Sequence, residues 1–308
     1  MKPLDRRNFL KSSLLGAAVV SISGRQLESQ TSVASASTAS DVPGIIDTNI
    51  NLFESPFRAL KYRETRALVA KLKKHRIIEA WAGSFEALLA KDMNGVNTRL
   101  ADECREHGPN FLIPFGSVNL AWPDWEEDVR RCHEVHKMPG IRIYRGDQPF
   151  DLDHPALDAL VRMTAERGLV LQVVFGMEDP RVHHPILNVG SVTSAPLLKA
   201  LKNMPNAKVQ LLHFSGSIRG EDLAQFMTQT SALMDISRLE GNGAVGRIIG
   251  AHPGSHPLRV PVERIVFGSH APYFPVETAI LKLIESPLDA PQLHAIMRGN
   301  ARRLLGQR

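Results

Sequence analysis

From residue 44 onward, short runs of β-branched and apolar residues alternate with longer stretches whose apolar positions recur at helical spacing. The short runs cover 44–53, 76–81, 111–116, 140–144, 169–175, 207–213, 232–236 and 264–269, each of strand length. Between them, 63–75 puts Leu68, Val69 and Leu72 on one helical face, and 155–167 does so with Leu157, Leu160, Val161 and Thr164. Asp153 is the expected cap of that second helix, with Pro155 in its first turn. A closing helix is expected over 291–305. Eight strand–helix repeats predict an α/β chain folded as a (β/α)8 TIM barrel, whose usual length is about 250 residues. An open doubly wound sheet is the rival, but no Gly-rich phosphate loop follows the first strand. The reading is therefore one barrel domain over 44–308.

The first strand breaks its apolar run with Asp47, Asn49 and Asn51. Alternate residues of a strand share a face, so the pattern puts one carboxylate and two amides together. Burying them costs several kcal/mol unless partners satisfy them. A functional site does that, and so does a polar strand end bonded to neighbouring loops.

The segment before this strand reads differently. Arg6-Arg7-Asn8-Phe9-Leu10-Lys11 has a twin-arginine pattern, 14–22 is apolar but too short to span a bilayer, and Ala34-Ser35-Ala36 offers a small-residue cleavage site. Residues 1–36 are expected to be an export signal and 37–43 a disordered linker. The mature chain is then expected in the periplasm or another extracytoplasmic space, reached through the twin-arginine export machinery. Of the formal net charge of +5, the signal accounts for +3 through Lys2, Arg6, Arg7, Lys11 and Arg25 against Asp5 and Glu28. The remaining +2 gives no reason to expect nucleic acid or an anionic membrane as partner. With two cysteines, Cys104 and Cys132, a Cys-based zinc site is excluded, while their pairing stays open.

In a barrel, the site lies at the C-terminal ends of the strands. There the sequence places Asp47, Asn49 and Asn51, then Arg142 and Tyr144, Gln172, Glu178 with Asp179, His183 and His184, His213, Asp235, and finally Ser269 and His270. The chain resembles the amidohydrolase-related branch of the amidohydrolase superfamily. The resemblance rests on Ile46-Asp47-Thr48-Asn49-Ile50-Asn51-Leu52, Gly140-Ile141-Arg142, Gln210-Leu211-Leu212-His213-Phe214-Ser215-Gly216, Asp235-Ile236-Ser237-Arg238-Leu239-Glu240-Gly241, Phe267-Gly268-Ser269-His270-Ala271-Pro272 and Gly299-Asn300-Ala301-Arg302-Arg303-Leu304-Leu305. It implies a barrel and, in relatives, a metal-dependent hydrolytic site. The usual ligands are substituted: Asn49 and Asn51 stand for the first-strand histidines, Val174 for the fifth-strand histidine and His270 for the eighth-strand aspartate. His213 remains.

Three functions follow as expectations. The first is an exported hydrolase of a small ester, lactone or amide, working with little or no metal. His270 or His213 acts as base, and Asn49, Asn51 and Arg142 hold the oxyanion. Asp47, Gln172, Tyr144 and Glu178 contact substrate. The second is a mononuclear metal-dependent hydrolase or decarboxylase, with His213 and His270 holding one zinc or manganese ion. The third is a non-catalytic barrel that binds a sugar or organic acid, with Trp81 and Tyr144 among its recognition residues.

Overall fold

The computed structural model describes residues 44–145, 148, 150–182, 184, 193–251 and 258–306. The export signal, the linker and His183 lie outside these residues. The strands are β1 (Ile45–Leu52), β2 (Ile77–Ser84), β3 (Leu112–Pro114), β4 (Gly116–Ser117), β5 (Gly140–Tyr144), β6 (Val170–Val174), β7 (Lys208–Leu212), β8 (Leu233–Asp235) and β9 (Ile265–Val266).

All neighbouring strands pair in parallel, as β1-β2-β3 and as β4 through β9. β3 and β4 are two halves of one stretch, separated only by Phe115, whose N–H bonds the Ala82 carbonyl at 2.8 Å. The first half pairs with β2 and the second with β5, so eight strands are joined in sequence. The last returns to the first: Thr48 N–H reaches Phe267 O at 3.0 Å, His270 N–H reaches Asn49 O at 2.8 Å, and Asn51 N–H reaches Ala271 O at 2.9 Å. This is the expected (β/α)8 TIM barrel.

Helices separate the strands. Thr65–Lys74 buries Leu68, Val69 and Leu72, as its spacing requires. Leu157–Glu166 buries Leu157, Leu160, Val161 and Thr164, but Asp153 does not cap it and Pro155 lies outside it. The turn before this helix is closed instead by His154, whose Nδ1 accepts the Ala156 N–H at 3.2 Å. The closing helix has three parts, Ala290–His294, a π-turn at Ala295–Gly299, and Asn300–Leu305. It opens on a capping box between Asp289 and Gln292. The wider π-turn coincides with a tie to the barrel, since the Ile296 carbonyl accepts the Phe267 N–H at 2.9 Å.

Ile46, Trp81, Phe115, Val170, Leu233 and Val266 form an apolar cluster with Ala301 and Leu304 of the closing helix. Trp81 stacks on Phe115, with ring centroids 5.0 Å apart, which makes it a packing residue rather than the recognition residue considered above. Cys104 and Cys132 are both free and buried, and burial pushes the Cys104 thiol up to about 12. Among the described residues no helix is long and apolar enough to cross a membrane.

Candidate functional site

A polar layer crosses the barrel interior. Arg142 Nε donates to Gln172 Oε1 at 2.8 Å, Gln172 Nε2 to Gln210 Oε1 at 2.8 Å, and Gln210 Nε2 to the Thr48 hydroxyl at 2.7 Å. Arg142 is fully buried, and its other donors go to Ile50 O at 2.7 Å, Asn51 Oδ1 at 3.0 Å and Trp81 O at 3.3 Å. Every acceptor is neutral, so the guanidinium makes no direct ion pair, and desolvation lowers its pKa against the opposing pull of Asp235 and Asp47. Gly83 makes room for it: a Cβ there would lie 2.5 Å from Arg142 Nη1 and 2.6 Å from the Tyr144 hydroxyl. Gln172 thus belongs to the wall of the barrel. The Tyr144 hydroxyl donates to Asn51 Oδ1 at 3.0 Å or Ser84 O at 3.2 Å.

The first strand does not keep strict alternation. Its register against β2 shifts between Asp47 and Ile50, the signature of a bulge. As a result Thr48 and Asn49, which are adjacent, both contribute to the interior. Thr48 meets Gln210, while Asn49 Nδ2 lies 2.8 Å from both His213 Nε2 and Asp235 Oδ2. Asp47 Oδ1 accepts the N–H groups of Ser269 at 2.9 Å and Asn49 at 3.2 Å. Desolvation raises the Asp47 carboxyl to about 7 despite these bonds, and it also raises Asp235.

Two histidines sit at the centre, 1% and 0% exposed, with His213 and His270 ring centroids 4.0 Å apart. Backbone carbonyls fix both tautomers, because a carbonyl can only accept. His213 Nδ1–H donates to Gly176 O at 2.9 Å, leaving its Nε2 lone pair to take the Asn49 amide. His270 Nε2–H donates to Met177 O at 2.9 Å, leaving Nδ1 as an acceptor with no partner among the described residues. Desolvation drives His270 down to about 3 and His213 well below its ordinary value, so both rings are neutral at physiological pH. Both residues adopt left-handed backbone at φ 61°, a conformation that costs a β-carbon-bearing residue of order 1 kcal/mol or more. Gly268 is held in the same crowd, since a Cβ there would lie 2.8 Å from Asp235 Oδ2.

Above the pair, a small cavity is lined by Ser55, Phe57, Phe85, Leu88, Met177, Glu178 and Tyr273. Tyr273 stacks on His270 at 4.8 Å between centroids. Glu178 Oε2 receives Arg58 Nε at 2.7 Å and is also bonded by Arg58 Nη2 and the Tyr273 hydroxyl. Loops following β1, β6 and β9 are thereby tied together over the histidines. The sequence pointed to Glu178 but not to Arg58 or Tyr273, which carry no pattern of their own. Asp179 pairs with the exposed Arg181 and belongs to a surface turn, and His184 stacks on Phe57 at 5.0 Å.

As arranged here, the side chains at the usual ligand positions do not by themselves form a site for the divalent metal that the resemblance implies. Among the described residues no group of three or more His, Cys, Asp or Glu side chains is arranged to hold one. The His213 lone pair already accepts the Asn49 amide, and Val174 is an apolar residue of a second cluster with Tyr144 and Leu212. The oxyanion role expected for Asn49 and Arg142 meets the same obstacle, because their donors serve protein acceptors.

A family model described as Amidohydrolase matches residues 47–239. Among solved structures, 2,6-dihydroxybenzoate decarboxylase from Rhizobium is 16% identical with a TM-score of 0.63, covering 86% of this chain and 99% of that one. A dihydroxybenzoic acid decarboxylase from a Polaromonas species, with bound manganese and the inhibitor 2-nitroresorcinol, is 14% identical with a TM-score of 0.65, covering 86% and 97%. A probable 2-pyrone-4,6-dicarboxylic acid hydrolase from Acinetobacter baumannii, with citric acid bound, is 12% identical with a TM-score of 0.59, covering 85% and 99%. At these identities the likeness is one of fold. No curated protein matches.

Proposed function

The chain belongs to the amidohydrolase family, and from that premise we propose that it is an exported enzyme hydrolysing a small ester, lactone or amide with little or no bound metal. His270 is the general base, with His213 beside it. The observation that carries this reading is the unpartnered Nδ1 of His270, a buried lone pair oriented by the bond from Nε2–H to Met177 O. Leaving such an acceptor unmet costs about 1–3 kcal/mol, and a water or substrate proton relieves it.

In the reaction, His270 Nδ1 takes a proton from water as the oxygen attacks the substrate carbonyl, and the imidazolium returns it to the leaving group. Admission of water and substrate lifts the desolvation that holds His270 near 3 and so restores its basicity. Asp47, whose carboxyl is poised at about 7, is the second group able to hold a proton at neutral pH. Arg142, whose donors stay on their protein acceptors, favours the developing oxyanion through its field, a field that adds to desolvation in lowering the pKa of both histidines.

Turnover of a panel of aryl esters and lactones tests the reading. His270→Ala is expected to lower kcat by about 10²–10⁴-fold while the far-ultraviolet circular dichroism stays unchanged; full activity in that variant would remove His270 from the mechanism. A second reading is decarboxylation of an aromatic acid, favoured by the Phe57, Phe85 and Tyr273 lining and by the decarboxylases of like fold. Carbon dioxide release from hydroxybenzoates with inert esters would establish it. Tight binding without turnover of either class would make the chain a ligand-binding barrel. Export rests on Arg6 and Arg7, so replacing both with Lys is expected to retain the precursor in the cytoplasm, read by cell fractionation.

A further inference from the structure

Asn49 has two amide hydrogens, and the structure uses both on groups that would otherwise be metal ligands. One meets His213 Nε2 and the other Asp235 Oδ2, each at 2.8 Å. The orientation of the amide follows from its partners, since both present lone pairs and only the nitrogen side can donate. His213 cannot turn its other nitrogen to the task, because Nδ1–H is engaged by Gly176 O. Asp235 is equally committed, its Oδ1 taking the His213 N–H at 3.0 Å. An imidazole lone pair and a carboxylate, both fully buried, are thus drawn together by two N–H dipoles.

A divalent cation on these two lone pairs would face the amide hydrogens at close range. The cation and the Asn49 amide are therefore alternatives. We infer that Asn49 takes the place of a metal ion in this site, cross-linking His213 to Asp235 by hydrogen bonds, and that one substitution at this position turns the cluster into a cation site. Asn49→Asp replaces both donors with acceptors beside His213, His270 and Asp235, where only a cation or added protons can hold the groups together. The inference deepens the metal-poor reading above and is independent of which bond is hydrolysed.

The test uses the full chain, purified without chelator or nickel affinity resin. Metal content is read by inductively coupled plasma mass spectrometry and Tm is followed against added MnCl2 and ZnCl2. The native protein is expected to hold well under one equivalent of metal and to show no Tm shift. Asn49→Asp is expected to bind about one equivalent and to gain Tm as MnCl2 rises, because a ligand of the folded state alone stabilises it. About one equivalent in the native protein, kept through dialysis and lost in His213→Ala, would overturn the inference, as would a folded Asn49→Asp that binds nothing. Should Asn49→Asp fail to fold even with MnCl2, the native protein's metal content decides alone, and Asn49→His offers a lone pair in place of the amide as a second variant. Failure to hydrolyse any ester or lactone would sink the proposed reaction and leave this result untouched.

Discussion

Two imidazoles with ring centroids 4.0 Å apart in a fully buried site coexist only while both stay neutral. For His270 the folded value of about 3 lies below the ordinary 6.5, so the unfolded chain binds the extra proton first as pH falls. Its contribution to stability is complete above about 6.5 and is lost progressively as pH drops toward about 3. Asp47 has the opposite sign. With a folded value of about 7 against 3.8, its contribution is complete below about 4 and is lost as pH rises toward about 7. His270→Gln removes only the first of these. Urea titrations from pH 7 to pH 4 should therefore show wild type losing stability relative to the variant, by up to about 1.4 kcal/mol per pH unit. Parallel curves would mean that His270 is not desolvated as the structure has it.

The strands of the barrel make that burial possible, and they also bury something costlier. Arg142 on β5 donates to four neutral acceptors, contributed by β1, β2 and β6, and no carboxylate accepts from it. Its worth to the fold lies in satisfying the buried Ile50 and Trp81 carbonyls and the Gln172 amide oxygen, and in sharing Asn51 Oδ1 with the Tyr144 hydroxyl. Arg142→Ala leaves those acceptors unmet beside a cavity, and should cost about 3–5 kcal/mol in urea unfolding. Arg142→Met keeps the volume but not the donors, so a similar loss there would assign the effect to hydrogen bonding rather than packing. The first strand teaches the complementary point. Its polar residues were visible at Asp47, Asn49 and Asn51, but the register shift in the middle brings Thr48 inward with Asn49, and no sequence periodicity marks that bulge.

At the scale of the whole molecule, the closed array puts Arg58, Glu178 and Tyr273 from three separate loops over the histidine pair. Arg58 is 40% exposed, so screening by solvent keeps the stability owed to its ion pair small, within about 1 kcal/mol. Its effect should fall on access instead. Arg58→Ala is expected to leave Tm within a few degrees and to speed amide hydrogen exchange in the segments around Met177 and Tyr273. Unchanged exchange there would show that the cavity's roof is held by the aromatic stacking of Tyr273 on His270 alone. Closure also explains why the expected site was only half legible. His213, Asp235 and His270 could be named from strand ends, whereas the roles of Arg58 and Tyr273 come from loops that meet only once the barrel is complete.

The alternation of β-rich and helical segments, the number of strands and the polar first strand were determined by sequence alone, because periodicity is a local property that survives without partners. The ends of the strands followed from that, and with them Asp47, Asn49, Asn51, Arg142, His213 and His270 as a set. What only the tertiary structure decided is what each of them touches. Asn49 finds His213 across 164 residues and Asp235 across 186, and the His270 ring finds the Met177 carbonyl across 93. Those pairings decide which ring nitrogens carry protons, and burial in the closed barrel raises the Asp47 carboxyl to about 7. Each depends on desolvation and on distances of under 3 Å, which chain closure creates and no local pattern encodes.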